Sequence, residues 1–482
     1  MSLYKAFLQN ILFPIDVWRS GKGKLFQYLR EFEASQHLPP DEIDQLNWVR
    51  LKSILQHAYT KIPFYRKSFD DVGMTPDVVQ SENDLLRLPI LEKRQVQDYL
   101  DELVVPDWPK DQLVIDQTGG STGTPVRYYC STDRRISREA ATWRHNRWAG
   151  WEICDKAAAL WGASRDLVPP QRLLSRVRSF FLDRQIVFNT AVFNESDALA
   201  FNERLKSYRP RCILGYANAL VVFALMLKEK NVTAYSPFSI VSSAEMLPLE
   251  SRKIIEDVFG CKVFNRYGSR ETSVVASECD RHEGLHLMAE GLHVELVVDG
   301  RHAKPGEMGE IIVTDLLNLP MPLIRYRIGD MASWSDKPCS CGRGLPMLAG
   351  LSGRVTDFLV TDNGSLCSGA SLTALVVAYR PTLMQIQIDQ ERQGEVVFRI
   401  ASGQGNPVPD DDLDFIRAKS NIYLGKGTKV EFEFVDEIPK TASGKSLFSI
   451  SKAAPYQFAQ SAAEDCGTIV AVTPKPVTPK PS

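Results

Sequence analysis

Two short apolar runs, Leu113-Val114-Ile115 and Val126-Arg127-Tyr128-Tyr129, bracket the stretch Gln117-Thr118-Gly119-Gly120-Ser121-Thr122-Gly123-Thr124-Pro125. The pattern reads as two strands joined by a loop rich in backbone and hydroxyl donors. Glycine supplies unusual backbone angles and lets N–H groups approach an anion closely, which suits a triphosphate. The loop is not of the Walker type, because the G-x-x-x-x-G-K-[ST] order is absent and no lysine follows the second glycine. A polar hairpin turn fits the same composition.

A chain of 482 residues predicts one large and one small domain. A net charge of −2 creates no global field for nucleic acid. No apolar run reaches the ~18 residues of a membrane span, so no transmembrane segment is expected. The start, Leu3 to Trp18, is apolar but interrupted by Lys5, Gln9, Asn10, Pro14 and Asp16, and it lacks a small-residue cleavage site. It reads as a docking helix, with a peripheral membrane anchor as the lesser alternative. Nine cysteines in this length do not make a disulfide framework, and a cytoplasmic location is expected.

Residues 1–105 read as mostly helical; Asp41 to Tyr59 shows helical apolar spacing after a Pro-Pro-Asp start. Between 105 and 350, strand-like runs alternate with helical stretches: Ala157 to Trp161, Cys212 to Gly215, the helix-like Ala217 to Lys228, and Ser239 to Ser242. Such alternation predicts α/β layering. A strand-rich stretch with a turn at Pro305 to Gly309 follows, then a smaller α/β unit from about 354 to 455. The expected architecture is a large multi-layer domain over 1–352, a small mobile α+β domain over 353–455, and a disordered Pro/Lys tail over 456–482.

Five further segments carry chemistry. In Asn265-Arg266-Tyr267-Gly268-Ser269-Arg270-Glu271, tyrosine can stack on a purine and glutamate can hold magnesium beside phosphates; a strand-end turn with a solvated glutamate is the plainer reading. In Leu323 to Asp330, a carboxylate after Gly329 can accept two ribose hydroxyls or simply close a β-turn. Ser352-Gly353-Arg354 can be a hinge beside a phosphate-reading cation or an ordinary linker. Pro439 to Lys445 presents a lysine on a Gly/Ser loop that could reach a phosphoryl group, or is a basic surface loop. Ala244 and Glu245 follow an apolar run whose end would line a ligand crevice in an open α/β sheet.

In their order, these segments resemble the adenylate-forming superfamily of acyl- and aryl-CoA ligases and luciferases. The glycine-rich loop, Tyr267-Gly268-x-x-Glu271, Tyr326-Arg327-x-Gly329-Asp330, Gly353-Arg354-x-x-Asp357 and the Pro439 to Lys445 loop fall in the family order. Ile62-Pro63-Phe64-Tyr65, Ile324 to Arg327 and the Cys-x-Cys-Gly element resemble the phenylacetate-CoA ligase branch, near the subgroup found with capsule genes.

The resemblance implies that a carboxylic acid attacks the α-phosphate of ATP, giving an acyl-adenylate and pyrophosphate, before transfer to CoA. It assigns Thr118, Gly119, Gly120, Ser121, Thr122, Gly123 and Thr124 to the phosphates, and Ala244, Glu245, Tyr267, Gly268 and Ser269 to the nucleotide. Glu271 would ligate Mg2+, Asp330 the ribose, and Lys445 the reacting oxygens, with Lys445, Glu271 and Thr122 as the catalytic set. Arg354 would mark the swivel of the small domain. Two departures weaken CoA as the acceptor: Thr356 stands at the usual hinge position, and Thr361 to Leu366 replaces a Gly/Asn-rich segment. An amine, a sugar hydroxyl or a carrier thiol is the alternative; a non-catalytic scaffold is a third reading.

Cys279, Cys339 and Cys341 with one histidine suit a structural Cys3His zinc site. His282 offers Cys-x2-His spacing, while His286 matches the Gly-x-His of related chains and is slightly preferred. The expected acid-pocket walls are Trp143, Trp161, Tyr216 and Ala217, which serve equally well as core.

Overall fold

The computed structural model describes residues 3–117, 126–161, 178–190, 195–354, 358–364, 366–380, 383, 385–401, 408–439 and 447–453. The 118–125 loop, Lys445 and the 456–482 tail lie outside these residues, as does the side chain of Arg354. The chain divides into two compact units, Met1–Arg354 with Pro439–Leu447, and Val355–Ile438 with Phe448–Ser482.

The larger unit opens with helices, as the apolar spacing predicts. Leu3–Phe7, Leu8–Leu12 and Phe13–Arg19 run on from one another, burying Leu8, Phe13 and Val17 and exposing Leu3, Phe7, Ile11 and Trp18. Next come α1 (Leu25–Ser35) and α2 (Pro40–Lys61), the latter with proline in its first turn, where a missing N–H costs nothing. A hairpin of β1 (Leu113–Gln117) and β2 (Arg127–Ser131) leads into α3 (Thr132–Trp148), whose first turn is capped by the Ser131 hydroxyl accepting from the Arg134 amide at 3.0 Å.

The body is a twelve-stranded sheet. Five strands are parallel: β3 (Ala157–Trp161), β4 (Gln185–Asn189), β5 (Cys212–Tyr216), β6 (Ser239–Ser243) and β7 (Lys262–Ser269). Between them lie α4 (Glu195–Tyr208), α5 (Ala217–Glu229) and α6 (Leu249–Phe259). The remaining seven pair antiparallel: β8 (Ser273–Glu278), β9 (Leu285–Leu287), β10 (Leu292–Val298), β11 (Arg301–His302), β12 (Met308–Asp315), β13 (Tyr326–Trp334) and β14 (Met347–Arg354). The spatial order is β11-β10-β12-β13-β14-β9-β8-β7-β6-β5-β3-β4. In the smaller unit, β15 (Phe358–Val360) and β16 (Leu366–Ser368) pair antiparallel, and β17 (Gln385–Gln390), β18 (Glu395–Ala401), β19 (Lys429–Val435) and β20 (Ser449–Ser451) make a sheet in the order β19-β18-β17-β20, accompanied by α7 (Gly369–Tyr379) and α8 (Asp410–Tyr423). The architecture is thus mixed α/β with a large and a small part, as expected.

Buried ion pairs fasten α3 to the sheet. The Asp315 carboxylate at the end of β12 meets Arg134 at 2.9 Å and Arg138 at 3.4 Å, and also accepts the amides of Leu317 and Asn318 at 3.0 and 3.2 Å. Arg144 meets Glu290 at 2.5 Å, and Arg325 grips Glu295 through two bonds of 3.0 Å. Removing one partner of such a pair strands a charge in the interior. Asp315→Asn is expected to cost about 3–5 kcal/mol in the first unfolding transition of a denaturant titration; a loss below about 1 kcal/mol would show that Asp315 is not the anchor.

Candidate active site and a buried Cys/His cluster

The parallel strands end at one edge, where Trp161, Asn189, Tyr216, Ser243 and Ser269 stand at their C-termini. Open α/β sheets place ligand crevices at such an edge. Immediately past β6, Ala244 holds φ +70°, a left-handed conformation that a non-glycine residue adopts only under constraint. Glu245, next in line, accepts the Asn218 amide at the start of α5 at 2.9 Å.

The turn after β7 is built with little freedom. A Cβ on Gly268 would stand 2.2 Å from the Ser273 carbonyl oxygen, so β7 and β8 can close on each other only at glycine. Ser269 and Thr272 hydroxyls pair at 3.0 Å across the turn that carries Glu271. From beneath, Arg138 donates to the carbonyls of Arg270 and Glu271, and the Tyr128 hydroxyl donates to the Arg270 carbonyl. Arg138 is the same side chain that Asp315 holds, so the Glu271 turn is tied to the buried ion-pair network.

Two tyrosine hydroxyls then bridge β7 and its turn to β13. Tyr267 donates to Asp330 at 2.8 Å, and Tyr326 donates to Glu271 at 3.0 Å. Burial, with the neighbouring Glu271 carboxylate second, raises the Tyr326 phenol far above its ordinary range, so it remains a donor. In sheet order, β13 is four places from β7, roughly 19 Å in a flat sheet. Side chains within 2.8 Å therefore require the antiparallel half to curl back over the parallel half. Tyr267, Gly268, Ser269 and Glu271 of β7 and its turn thus meet Tyr326 and Asp330 of β13 around this fold-over, while Glu245 is fixed to the start of α5. Of the expected pocket walls, Trp161 and Tyr216 pack at 4.4 Å at the crevice edge. Trp143 instead packs against Phe13 at 5.1 Å, and Ala217 is buried in the first turn of α5.

The supporting side chains Arg134, Arg138, Tyr128 and Asp315 did not emerge from the sequence. The Arg134/Arg138 spacing on a helix reads as a solvated basic face, and only its burial reveals the role.

At the other end of β8, Cys279, Cys339, Cys341 and His286 bring their ligand atoms within 4.8 Å of one another. Cys279 and Cys339 sulfurs are 3.6 Å apart, and Cys341 Sγ lies 3.4 Å from His286 Nε2. Backbone amides two residues on, Arg281 and Arg343, donate to the Cys279 and Cys341 sulfurs at 3.4 and 3.5 Å. Burial pushes the His286 imidazole down to about 4, which keeps it neutral. His282 is turned away, with Nδ1 at 3.1 Å from Glu278. Such a set can hold a metal ion. The six-residue strand Ser273–Glu278 separates Cys279 from the Glu271 turn, roughly 20 Å, so the cluster is no part of the crevice.

The fold is that of adenylate-forming CoA ligases: a solved 2-hydroxyisobutyryl-CoA ligase superposes with a TM-score of 0.69 at 18% identity, covering 89% of this chain and 94% of that one. More particularly, the chain is similar to phenylacetate-coenzyme A ligases and to the protein CapK. The phenylacetate-coenzyme A ligase of Thermus thermophilus is 25% identical, covering 74% of this chain and 80% of that protein. CapK of Staphylococcus aureus is 22% identical over 92% of this chain and 96% of its own length. Residues 359–452 match the family model of the CapK C-terminal domain. No helix among the described residues is long and apolar enough to cross a membrane.

The Gly268 geometry gives a direct test. Gly268→Ala is expected to force β7 and β8 apart and lower the melting temperature by several degrees; an unchanged melting temperature would refute the need for close approach.

Proposed function

We propose that this protein activates a carboxylic acid with ATP, forming an acyl-adenylate and pyrophosphate, and passes the acyl group to CoA. The observation that carries the reading is the convergence of Tyr267, Glu271 and Asp330 through the two tyrosine bonds at the strand-end crevice. Asp330 accepts the ribose hydroxyls, Tyr267 flanks the base, and the segment from Ala244 to Glu245 edges the nucleotide. Glu271, with one oxygen engaged by Tyr326, would hold Mg2+. That ion, when bound, neutralises charge on the phosphates. Thr118 to Thr124 enclose the phosphates, and Thr122 and Lys445 stabilise the oxygens on which charge develops. Arg354, where the first compact unit ends, is the swivel.

ATP–pyrophosphate exchange with a panel of carboxylic acids, without CoA, tests the first half-reaction. Glu271→Gln and Lys445→Ala are each expected to lower exchange about 100-fold or more with folding unchanged. Exchange at the parental rate in both would sink the assignment, and no exchange with any acid would favour a scaffold.

The near-full-length similarity to CapK, together with Thr356 and the 361–366 segment, favours a second acceptor reading: an amine, a sugar hydroxyl or a carrier thiol in surface-polysaccharide assembly. Offering preformed adenylate to CoA and to these nucleophiles separates the two.

The Cys/His cluster is a structural zinc site in this reading. Bond lengths of about 2.3 Å to sulfur and about 2.0 Å to nitrogen give tetrahedral edges near 3.8 and 3.5 Å, close to the 3.6 and 3.4 Å found. All four positions are filled by protein, which leaves none for substrate. Metal analysis is expected to give about one zinc per chain, and Cys341→Ser to lower both zinc content and melting temperature; zinc well below one per chain would defeat it.

A further inference from the structure

We propose that the acid taken by this site carries a second anionic group, and that Arg266 reads it; the inference rests on the acid-activating function above. Five described arginines are nine-tenths or more buried: Arg134, Arg138, Arg144, Arg266 and Arg325. Four have a carboxylate within 3.4 Å: Arg134 and Arg138 share Asp315, Arg144 has Glu290, and Arg325 has Glu295. Arg266 is the exception. Its Nε donates to Ser243 Oγ at 3.3 Å and its Nη1 to Asn146 Oδ1 at 3.1 Å, both neutral acceptors. No Asp or Glu among the described residues lies within ion-pair distance of it. Burial pulls its guanidinium down to about 10, which leaves it a cation at neutral pH. A buried cation without a counter-charge costs several kcal/mol. An anion entering from outside the chain offsets that cost and forms charge-assisted bonds to the planar fork.

Strand register shows where such an anion would sit. Tyr216 pairs with Ser243, and Ser243 with Arg266, so the three side chains form one row on one face of the sheet. Trp161 extends the row, one residue beyond the Leu160–Gly215 pair and packed on Tyr216 at 4.4 Å. The row thus runs from two aromatic rings through a hydroxyl to a cation. From Tyr216 to Arg266 it spans two strand spacings, ~10 Å, which matches one aromatic ring or a six-carbon chain. Tyr267, the next residue, points to the other face and meets Asp330, so the ribose and base side lies away from Arg266. The geometry therefore selects an acid with an apolar or aromatic body and a second carboxylate or similar anion.

The test is calorimetric binding of matched acids to the full chain with a non-hydrolysable ATP analogue: adipate against hexanoate, and 4-carboxyphenylacetate against phenylacetate. The parent is expected to bind the diacids at least tenfold more tightly. Arg266→Met is expected to weaken diacid binding about 10- to 100-fold, leave monoacid binding unchanged and melt no lower than the parent. Arg266→Lys is expected to retain part of the preference. Equal binding of mono- and diacids by the parent would overturn the proposal. So would an equal loss for both classes in Arg266→Met, or failure of that variant to fold, which would assign the residue to the scaffold. Weakened binding of the ATP analogue itself would assign Arg266 to nucleotide phosphates instead. Failure of the parent reading is seen separately, as absence of pyrophosphate release while the diacid preference persists.

Discussion

The carboxylate of Asp315 is the interaction on which the candidate site depends. It closes β12, caps the turn behind it through two amides, and neutralises Arg134 and Arg138 on α3. Arg138 in turn holds the carbonyls of Arg270 and Glu271. One buried anion therefore fixes a helix, a strand end and the backbone of the Glu271 turn together. Two guanidinium groups and two amides offset the desolvation of this carboxylate. Among the described residues, the Glu271 side chain is held by the bond from Tyr326.

The same logic separates the two special regions. At the strand-end edge, Tyr267 and Tyr326 bond to carboxylates carried by different parts of the sheet, and Ala244 past β6 is held at positive φ. At the far end of β8, the cysteine sulfurs and His286 converge on each other, packed against Trp148, whose ring meets His286 edge-on at 5.6 Å. The first arrangement suits chemistry on a substrate. The second suits cross-linking a loop to the sheet, which is what a closed tetrahedral ligand set does.

Much of the fold was legible because strand and helix periods alternate cleanly between 157 and 269, and because α2 carries its start signal in proline and acidic residues. The segments bearing Tyr267, Glu271 and Asp330 were legible from residue type and order. The choice of histidine was not settled by spacing: His282 lies nearer Cys279 in sequence, yet its φ of +56° and its bond to Glu278 turn it away from the sulfurs. The buried roles of Arg134, Arg138 and Arg266 were invisible, because a helix or strand arginine is ordinarily solvated.

The sequence by itself determined the α/β class, the helical start, and which residue types were available for nucleotide and metal chemistry, since these follow from local periodicity and side-chain chemistry. Tertiary structure alone decided that β13 curls onto β7, that two tyrosine hydroxyls join Glu271 and Asp330 to one crevice, and that one buried arginine lacks, among the described residues, the carboxylate its four counterparts have. These outcomes depend on contacts between residues distant in the chain, and no local pattern encodes how a sheet folds back on itself.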